Sequence, residues 1–175
     1  MKRLTITQIA VAFFLLMGSS MAYAGGPHGP YSGSKEFERM KQLAGTWVGI
    51  STMDKEQQKI RVEYRLSSGG SAVFETLFPG TAEEMISVYH DNKGQLTMTH
   101  YCALGNQPRM KVQKADAQAF HFAFADGSNM NPLKDAHMHA LTISFVDPDR
   151  LIHKWIYFEN GKEKGTTVFE LSRLR

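Results

Sequence analysis

Cysteine is almost missing from this sequence: Cys102 is the only one among 175 residues. An intramolecular disulfide is therefore excluded, and packing alone must hold the fold together. The sequence also lacks the Gly-x-Ser-x-Gly, P-loop, dinucleotide-binding and His-Glu-x-x-His motifs, so it carries no signature of the enzyme classes that those motifs mark. Its N-terminal apolar run, Ile9–Met17, is shorter than the roughly 20 residues that cross a bilayer.

That N-terminal segment instead has the three parts of a secretory signal peptide. Lys2 and Arg3 precede the apolar run, and Ala22 and Ala24 place small residues before the expected cut. We expect cleavage after about Ala24 and a periplasmic or secreted mature protein without stable membrane insertion. Residues 1–24 are then the signal peptide, residues 25–34 a flexible leader rich in Gly, Pro and Ser, and residues 35–175 a single domain.

Cleavage also changes the charge balance. The whole chain has 20 Lys+Arg and 17 Asp+Glu, and the signal peptide removes Lys2 and Arg3 but no acidic residue. The mature domain is therefore close to neutral, and no block rich in Lys and Arg appears elsewhere in it. We expect no nucleic-acid partner and no polybasic membrane patch.

The spacing of apolar residues changes from helical to alternating at Gly45. Residues 34–44 are predicted to form one short helix with Ser34 as N-cap. Alternating segments, typical of half-buried strands, follow to the C-terminus. Ten strands are predicted, over residues 46–53, 59–66, 71–78, 85–90, 95–103, 110–114, 118–125, 137–146, 151–159 and 166–174. The connections are too short for parallel crossovers, which favours an all-β antiparallel barrel or sandwich. The longest irregular stretch, residues 126–136, is a candidate lid or rim loop.

The two ends of the strand region resemble those of calycins, the barrels of lipocalins, fatty-acid-binding proteins and nitrobindin-like proteins. A short helix runs into Gly45-Thr46-Trp47, and Arg173 ends the last strand. The resemblance implies a ten-stranded calycin-like barrel in which Trp47 plugs one end and Arg173 packs across it, with a cation–π contact and hydrogen bonds to carbonyls of the N-terminal segment.

The middle of the chain resembles small secreted bacterial proteins of the DUF1579 type, which are calycin-like and of undefined function. The likeness lies in residues 84–90, in Thr99-His100-Tyr101-Cys102, in residues 105–110 and in His137-Met138-His139 with residues 141–143. It covers nearly the whole mature chain. It implies the fold but no particular cargo, because calycins share a barrel and differ in what they bind.

Strand alternation predicts which side chains meet inside the barrel. Met98, His100 and Cys102 share one strand face, and His137 and His139 share a face of another strand. We expect His100 and His139 to point into one cavity with Cys102 nearby, among Tyr64, Phe74, Met98 and Phe122. Glu75 lies on the opposite face from Phe74, so it is either exterior or a single buried acid paired with an arginine such as Arg65.

Several functions fit these expected interior residues. One is binding of a small apolar or amphipathic molecule, oriented by His100, His139 and Arg173. Haem binding through His100 or His139 is a second, and a His-x-His metal site formed by His137 and His139 with His100 or Cys102 is a third. An enzyme using interior His, Cys and Tyr side chains and a purely structural barrel with a filled core complete the alternatives.

Overall fold

The computed structural model describes residues 29–175. The predicted signal peptide, residues 1–24, and the start of the predicted leader lie outside the described residues. Tyr31–Ser34, predicted as flexible leader, are bonded to the barrel: the Tyr31 amide donates to the carbonyl of Gly69, and the Ser34 amide donates to the Asp91 carboxylate.

One helix, α1 (Lys35–Lys41), precedes the strands. The Ser34 side chain caps it by accepting a hydrogen bond from the Phe37 amide at 3.3 Å, as its N-cap position predicts. Acidic residues occupy its first turn and basic residues its last, which suits the helix dipole. It ends three residues earlier than predicted, because residues 42–44 continue as hydrogen-bonded turns. Within residues 29–175, no helix has the length and apolar character needed to cross a membrane.

Ten strands follow, and the all-β fold predicted from the sequence is confirmed. They are β1 (Gly45–Met53), β2 (Glu56–Ser67), β3 (Ala72–Leu77), β4 (Met85–Asn92), β5 (Gln95–Tyr101), β6 (Gln107–Ala115), β7 (Ala119–Ser128), β8 (His137–Asp147), β9 (Arg150–Glu159) and β10 (Lys162–Arg173). Two of the tight hairpin turns, Lys93-Gly94 and Asn160-Gly161, have positive φ at both residues, the geometry that matches the twist of the flanking strands.

Each strand pairs antiparallel with its neighbours in the chain, and β1 also pairs with β10, which closes the barrel. The inward faces of the strands form one continuous core. Closure gives each of the ten described strands a partner on both sides, so none of them is an edge strand. β7 extends to Ser128, so the predicted irregular stretch shrinks to residues 129–136.

The two ends of the barrel differ. Helix α1 closes the end where β1 begins, with Phe37, Met40 and Trp47 fully buried there. We call this the helix end. The opposite end, where β1 stops at the half-exposed Met53, has no helix across it among the described residues, and we call it the open end.

Candidate functional site

A cavity of about 260 Å³ enters the barrel from the open end. Its walls are mainly apolar and aromatic, and they come from eight strands and the loops between them. The lining residues are Ser51, Met53, Gln58, Leu77, Phe78, Glu83, Met85, His100, Ala103, Met138, Trp155, Thr167 and Phe169. A mostly apolar concave site with a few polar groups is the usual form of a small-molecule pocket.

Among the cavity residues whose side chains carry a polar atom, His100 and Trp155 are the most deeply buried, at 1% and 2% exposure. Their ring centroids lie 4.8 Å apart. Nδ1 of His100 lies 3.0 Å from the hydroxyl oxygen of Ser87 on the adjacent strand. Burial lowers the pKa of His100 to about 4, because the low-dielectric interior disfavours the imidazolium. His100 is therefore neutral at physiological pH.

The Trp155 indole N–H is a buried donor without an acceptor among residues 29–175. Buried N–H groups in folded proteins are nearly always paired, so an unpaired one beside a cavity calls for an explanation. The indole of Trp47 at the helix end shows the ordinary case: its Nε1 donates to the Leu43 carbonyl at 2.9 Å.

Outside this cavity lies a wider vestibule of about 450 Å³ that shares Met53, Met85 and Met138 with it. Cys102 and Lys164 line the vestibule. Burial raises the pKa of the Cys102 thiol, so it stays protonated and is a poor nucleophile near neutral pH. The loop over residues 129–136, predicted as a lid, contributes no lining residue to either space.

A buried carboxylate, Glu75, lies next to the inner wall of the cavity. Glu75 is fully buried and pairs across the sheet with Ser87, which in turn pairs with His100. Leu77, the next inward-facing residue on β3, lines the cavity. Glu75 therefore belongs to the same part of the barrel interior as the cavity wall.

Two tyrosine hydroxyls satisfy this carboxylate. Tyr64 donates to Oε1 at 2.5 Å, and Tyr89 donates to Oε2 at 2.9 Å. Burial, reinforced by the charge of Glu75, holds the pKa of both tyrosines well above the usual value. Both hydroxyls therefore remain donors across the physiological pH range.

His153 completes the network. Its Nε2 lies 3.1 Å from the Tyr64 hydroxyl oxygen, whose own proton is already given to Glu75, so Nε2 carries the proton and donates. Burial lowers the pKa of His153, against the opposing pull of Glu75, and the ring is neutral. Its Nδ1 lies 3.6 Å from Oε1 of Glu75 and has no hydrogen-bond partner among residues 29–175. The chain of donors runs from His153 through Tyr64 to Glu75.

This network corrects the expectation for β3. Glu75 is the buried acid, and its partners are tyrosines and a histidine rather than Arg65. Phe74 is not interior: it alternates with the buried Val73 and Glu75, lies on the outer face and packs under the Arg65 guanidinium, 4.4 Å from the ring centroid. The aromatic side chain was the wrong guide to the inner face.

Three other predicted site residues lie inside the barrel but away from the cavity. Tyr64, Met98 and Phe122 are all buried, and none lines the cavity. Tyr64 belongs to the Glu75 network. The Phe122 ring packs edge-on against Tyr89 with centroids 5.7 Å apart. Of the predicted set, His100 lines the cavity and Cys102 the vestibule.

Strand alternation predicts that His139 and His100 share a cavity, but in the structure they do not. The register between β8 and β9 shifts between Met138 and Ala140, and this bulge brings Met138 rather than His139 to the cavity wall. The His139 ring stacks on Phe158 with centroids 3.8 Å apart, and Nδ1 lies 3.0 Å from Nε2 of His137.

His137 is itself held by the backbone carbonyl of Asp135, 2.8 Å from Nδ1. The two histidines therefore bond to one another instead of converging on a third ligand. In the part of the chain from residue 29 onward, no group of three or more His, Cys, Asp or Glu side chains is placed to hold a metal ion. The geometry offers no site for the His-x-His metal hypothesis.

At the helix end, Gly45, Trp47 and Arg173 have the arrangement that the calycin resemblance implies. The Arg173 guanidinium lies 4.3 Å from the centroid of the Trp47 indole. Its Nη1 and Nη2 donate to the carbonyls of Ala44 and Gln42 at 2.9 and 3.0 Å. A Cβ at Gly45 would lie 3.1 Å from Nη1 of Arg173 and would need φ of +129°, which explains the glycine. Arg173 is thus part of the closed end and does not reach the cavity.

Comparison with known proteins gives only distant structural likenesses. No protein-family profile matches the chain, and no curated protein matches it. Among solved structures, a redesigned β-barrel is 8% identical with a TM-score of 0.38, over 78% of this chain and 95% of that one. A protein of unknown function of the DUF3598 family from Nostoc punctiforme is 11% identical with a TM-score of 0.42, over 86% of this chain and 53% of that one. This chain thus spans about half of the DUF3598 protein. The closed ten-stranded barrel of this chain rests on its own strand pairing.

Proposed function

We propose that this protein binds a small, largely apolar molecule in the cavity at the open end of its barrel. The observation that carries the proposal is the apolar cavity of about 260 Å³ entered at one end of a barrel whose other end is closed by α1. An apolar cavity of about 150 Å³ holds benzene, and common ligand pockets begin near 300 Å³. The cavity therefore suits a single aromatic ring system or a short alkyl chain.

We also propose that the protein is exported and belongs with the DUF1579 type of secreted calycin-like proteins. Lys2, Arg3, the run Ile9–Met17 and the small residues before Gly25 support export. N-terminal sequencing of protein recovered from the periplasm or the medium tests this part: the mature chain should begin at Gly25. A retained Met1 would contradict it.

Binding can be tested with a series of straight-chain alcohols of increasing length, titrated into the mature protein by calorimetry. The affinity should rise by about 0.8 kcal/mol for each added CH₂ while the chain is still being buried, and then stop rising when the cavity is full. This break in slope distinguishes a cavity from a flat apolar surface, on which affinity continues to rise with length.

Ala103 offers a matched pair of variants for the same titration. It is exposed and lines both the cavity and the vestibule, so Ala103→Phe places a ring in the entrance without disturbing the core. Ala117 is also exposed but lies in the turn between β6 and β7, at the helix end. Ala103→Phe should abolish alcohol binding, whereas Ala117→Phe should leave it unchanged. A similar loss of alcohol binding in both variants, or no loss in either, would contradict binding at the open end.

The cavity does not fit haem as it stands. A macrocycle of four pyrrole rings needs several times the space that benzene occupies, and Trp155 already covers His100 at 4.8 Å between ring centroids. His139, the other proposed ligand, is stacked against Phe158. Acid–base catalysis near neutral pH is likewise not favoured at His100, because its pKa of about 4 lies well below the operating range.

A further inference from the structure

The most informative unexplained group in the cavity is the indole N–H of Trp155. Trp155 lines the cavity, is 2% exposed and has no acceptor for Nε1 within residues 29–175. An indole N–H can only donate. Nε1 itself has almost no accessible surface. A ligand that satisfies it must therefore present an acceptor atom at the inner part of the cavity and shift the indole ring slightly to reach it, and a pure hydrocarbon would leave the donor unpaired at a cost.

Charge at the same depth restricts what kind of acceptor this is. The buried side chains of the inner wall, His100, Ser51 and Trp155, are all uncharged, since His100 is neutral. Glu83 stands at the exposed rim, and the charged residues Asp54 and Lys164 line the outer vestibule. No described cation lines the inner cavity to balance an anion brought there.

The nearest buried ionisable acid would repel an anionic ligand. Glu75 shares a cross-strand row with Ser87 and His100 and lies one inward position from the cavity residue Leu77. A ligand carboxylate or phosphate at the inner wall would be desolvated without a counter-charge, and the buried ionisable group next to it in the strand register is an acid rather than a base. A ligand ammonium would be drawn by Glu75 but has no acceptor capacity for the Trp155 donor.

We propose that the ligand enters the cavity with an uncharged oxygen of the carbonyl type at its leading end. This oxygen accepts a hydrogen bond from Nε1–H of Trp155. This inference rests on the proposed function and adds the chemistry of the ligand's inner group. The His100 imidazole, fixed through Nδ1 by Ser87, stands beside the same site as a second uncharged polar group. The apolar remainder of the ligand then lies between Phe169, Phe78 and the methionines of the entrance.

Three small probes of matched shape separate the possibilities: cumene, acetophenone and benzoate. Each is titrated into ¹⁵N-labelled mature protein, and the two indole N–H signals are followed by NMR. The Trp155→Phe variant assigns the signals. The Trp47 indole, bonded to the Leu43 carbonyl at the helix end, is an internal control that should not move and that also reports whether the variant is folded.

Acetophenone should shift the Trp155 indole proton downfield and bind roughly tenfold tighter than cumene, the factor expected for one hydrogen bond to an otherwise unpaired donor. Benzoate should bind roughly tenfold or more weaker than acetophenone. In Trp155→Phe the preference for acetophenone over cumene should disappear while cumene still binds.

Each contrary result has a distinct meaning. Equal binding of cumene and acetophenone, without a downfield shift, overturns the assigned head group but leaves the apolar cavity site standing. Benzoate binding tightest overturns the argument from charge. Absence of binding for all three probes, together with equal alcohol binding by Ala103→Phe and wild type, overturns the proposed function and this inference with it.

Discussion

Removing the Tyr64 hydroxyl should destabilise the barrel more than removing the Tyr89 hydroxyl, although both donate to Glu75. Tyr89 donates to Oε2 at 2.9 Å, and its hydroxyl also interacts with the Ser87 side chain, which opposes the rise of the Tyr89 pKa. Tyr64 donates to Oε1 at 2.5 Å and also receives the Nε2–H of His153 at 3.1 Å. Phenylalanine removes only the hydroxyl in each case, so the pair of variants isolates the extra bond.

The expected magnitudes follow from these contacts. A hydrogen bond to a charged group contributes about 1.5–3 kcal/mol, so Tyr89→Phe should lower the free energy of unfolding by about 2 kcal/mol. Tyr64→Phe loses a similar bond and leaves the His153 donor unpaired, which costs about 1–3 kcal/mol more, for a total of about 3–5 kcal/mol. The double variant should cost more than either single variant but deviate from their sum, since both hydroxyls share one carboxylate.

Urea unfolding at neutral pH, followed by circular dichroism, measures both variants. With a typical urea slope of about 2 kcal/mol per M, Tyr64→Phe should move the midpoint down by about 1.5–2.5 M and Tyr89→Phe by about 1 M. Equal midpoints for the two variants, or a smaller loss for Tyr64→Phe, would refute the donor chain from His153 through Tyr64 to Glu75.

Other expectations concern the closed end, the pH response and the corrected strand face. Arg173→Ala should cost about 1–3 kcal/mol in thermal unfolding, from the lost contact with Trp47 and the lost carbonyl bonds, and Arg173→Lys should recover only part. His100 is protonated near pH 6.5 in the unfolded state and only near pH 4 in the folded state. The free energy of unfolding should therefore fall by about 3 kcal/mol as the pH drops through that window. In urea unfolding at several pH values, His100→Gln should flatten this dependence of stability on pH. Phe122→Ala should lower the free energy of unfolding by about 3–5 kcal/mol, and Phe74→Ala by under about 1 kcal/mol. The reverse order in urea unfolding would contradict the placement of Phe74 on the outer face.

The sequence was sufficient for the architecture because every strand carries its own alternation and every hairpin its own turn. Residues 92–94 and 160–161 mark two of these turns, and the predicted strands differ from the observed ones by only a few residues at their ends. Antiparallel order then follows from short connections. Among the described strands, β1 and β10 are the only paired strands that are not consecutive in the chain, and the resemblance to calycins implied that closure.

The site was harder to predict because it depends on register between strands. Alternation divides β3 into one set with Phe74 and another with Val73, Glu75 and Leu77, but it does not say which set faces inward. Burying Glu75 is favourable only because Tyr64 and Tyr89 meet it from neighbouring strands, and a single strand's pattern does not contain that information.

The strand β9 carries a usable signal for the interior in the alternation of its residues. Leu151, His153 and Trp155 share one face of this strand. Reading that face as inward would have placed Trp155 at the cavity and His153 in the barrel interior beside Tyr64. The bulge at His139 left no comparable signal, because one inserted residue reverses the faces of a strand without a glycine or proline to mark it.

The most direct test of the central claim is a crystal structure of the mature protein soaked with iodobenzene, whose iodine can be located by its anomalous scattering. We predict one strong iodine peak at the open end, within the cavity bounded by His100, Trp155 and Met138, and loss of that peak in Ala103→Phe. An empty cavity beside a fully occupied site elsewhere on the barrel would contradict it.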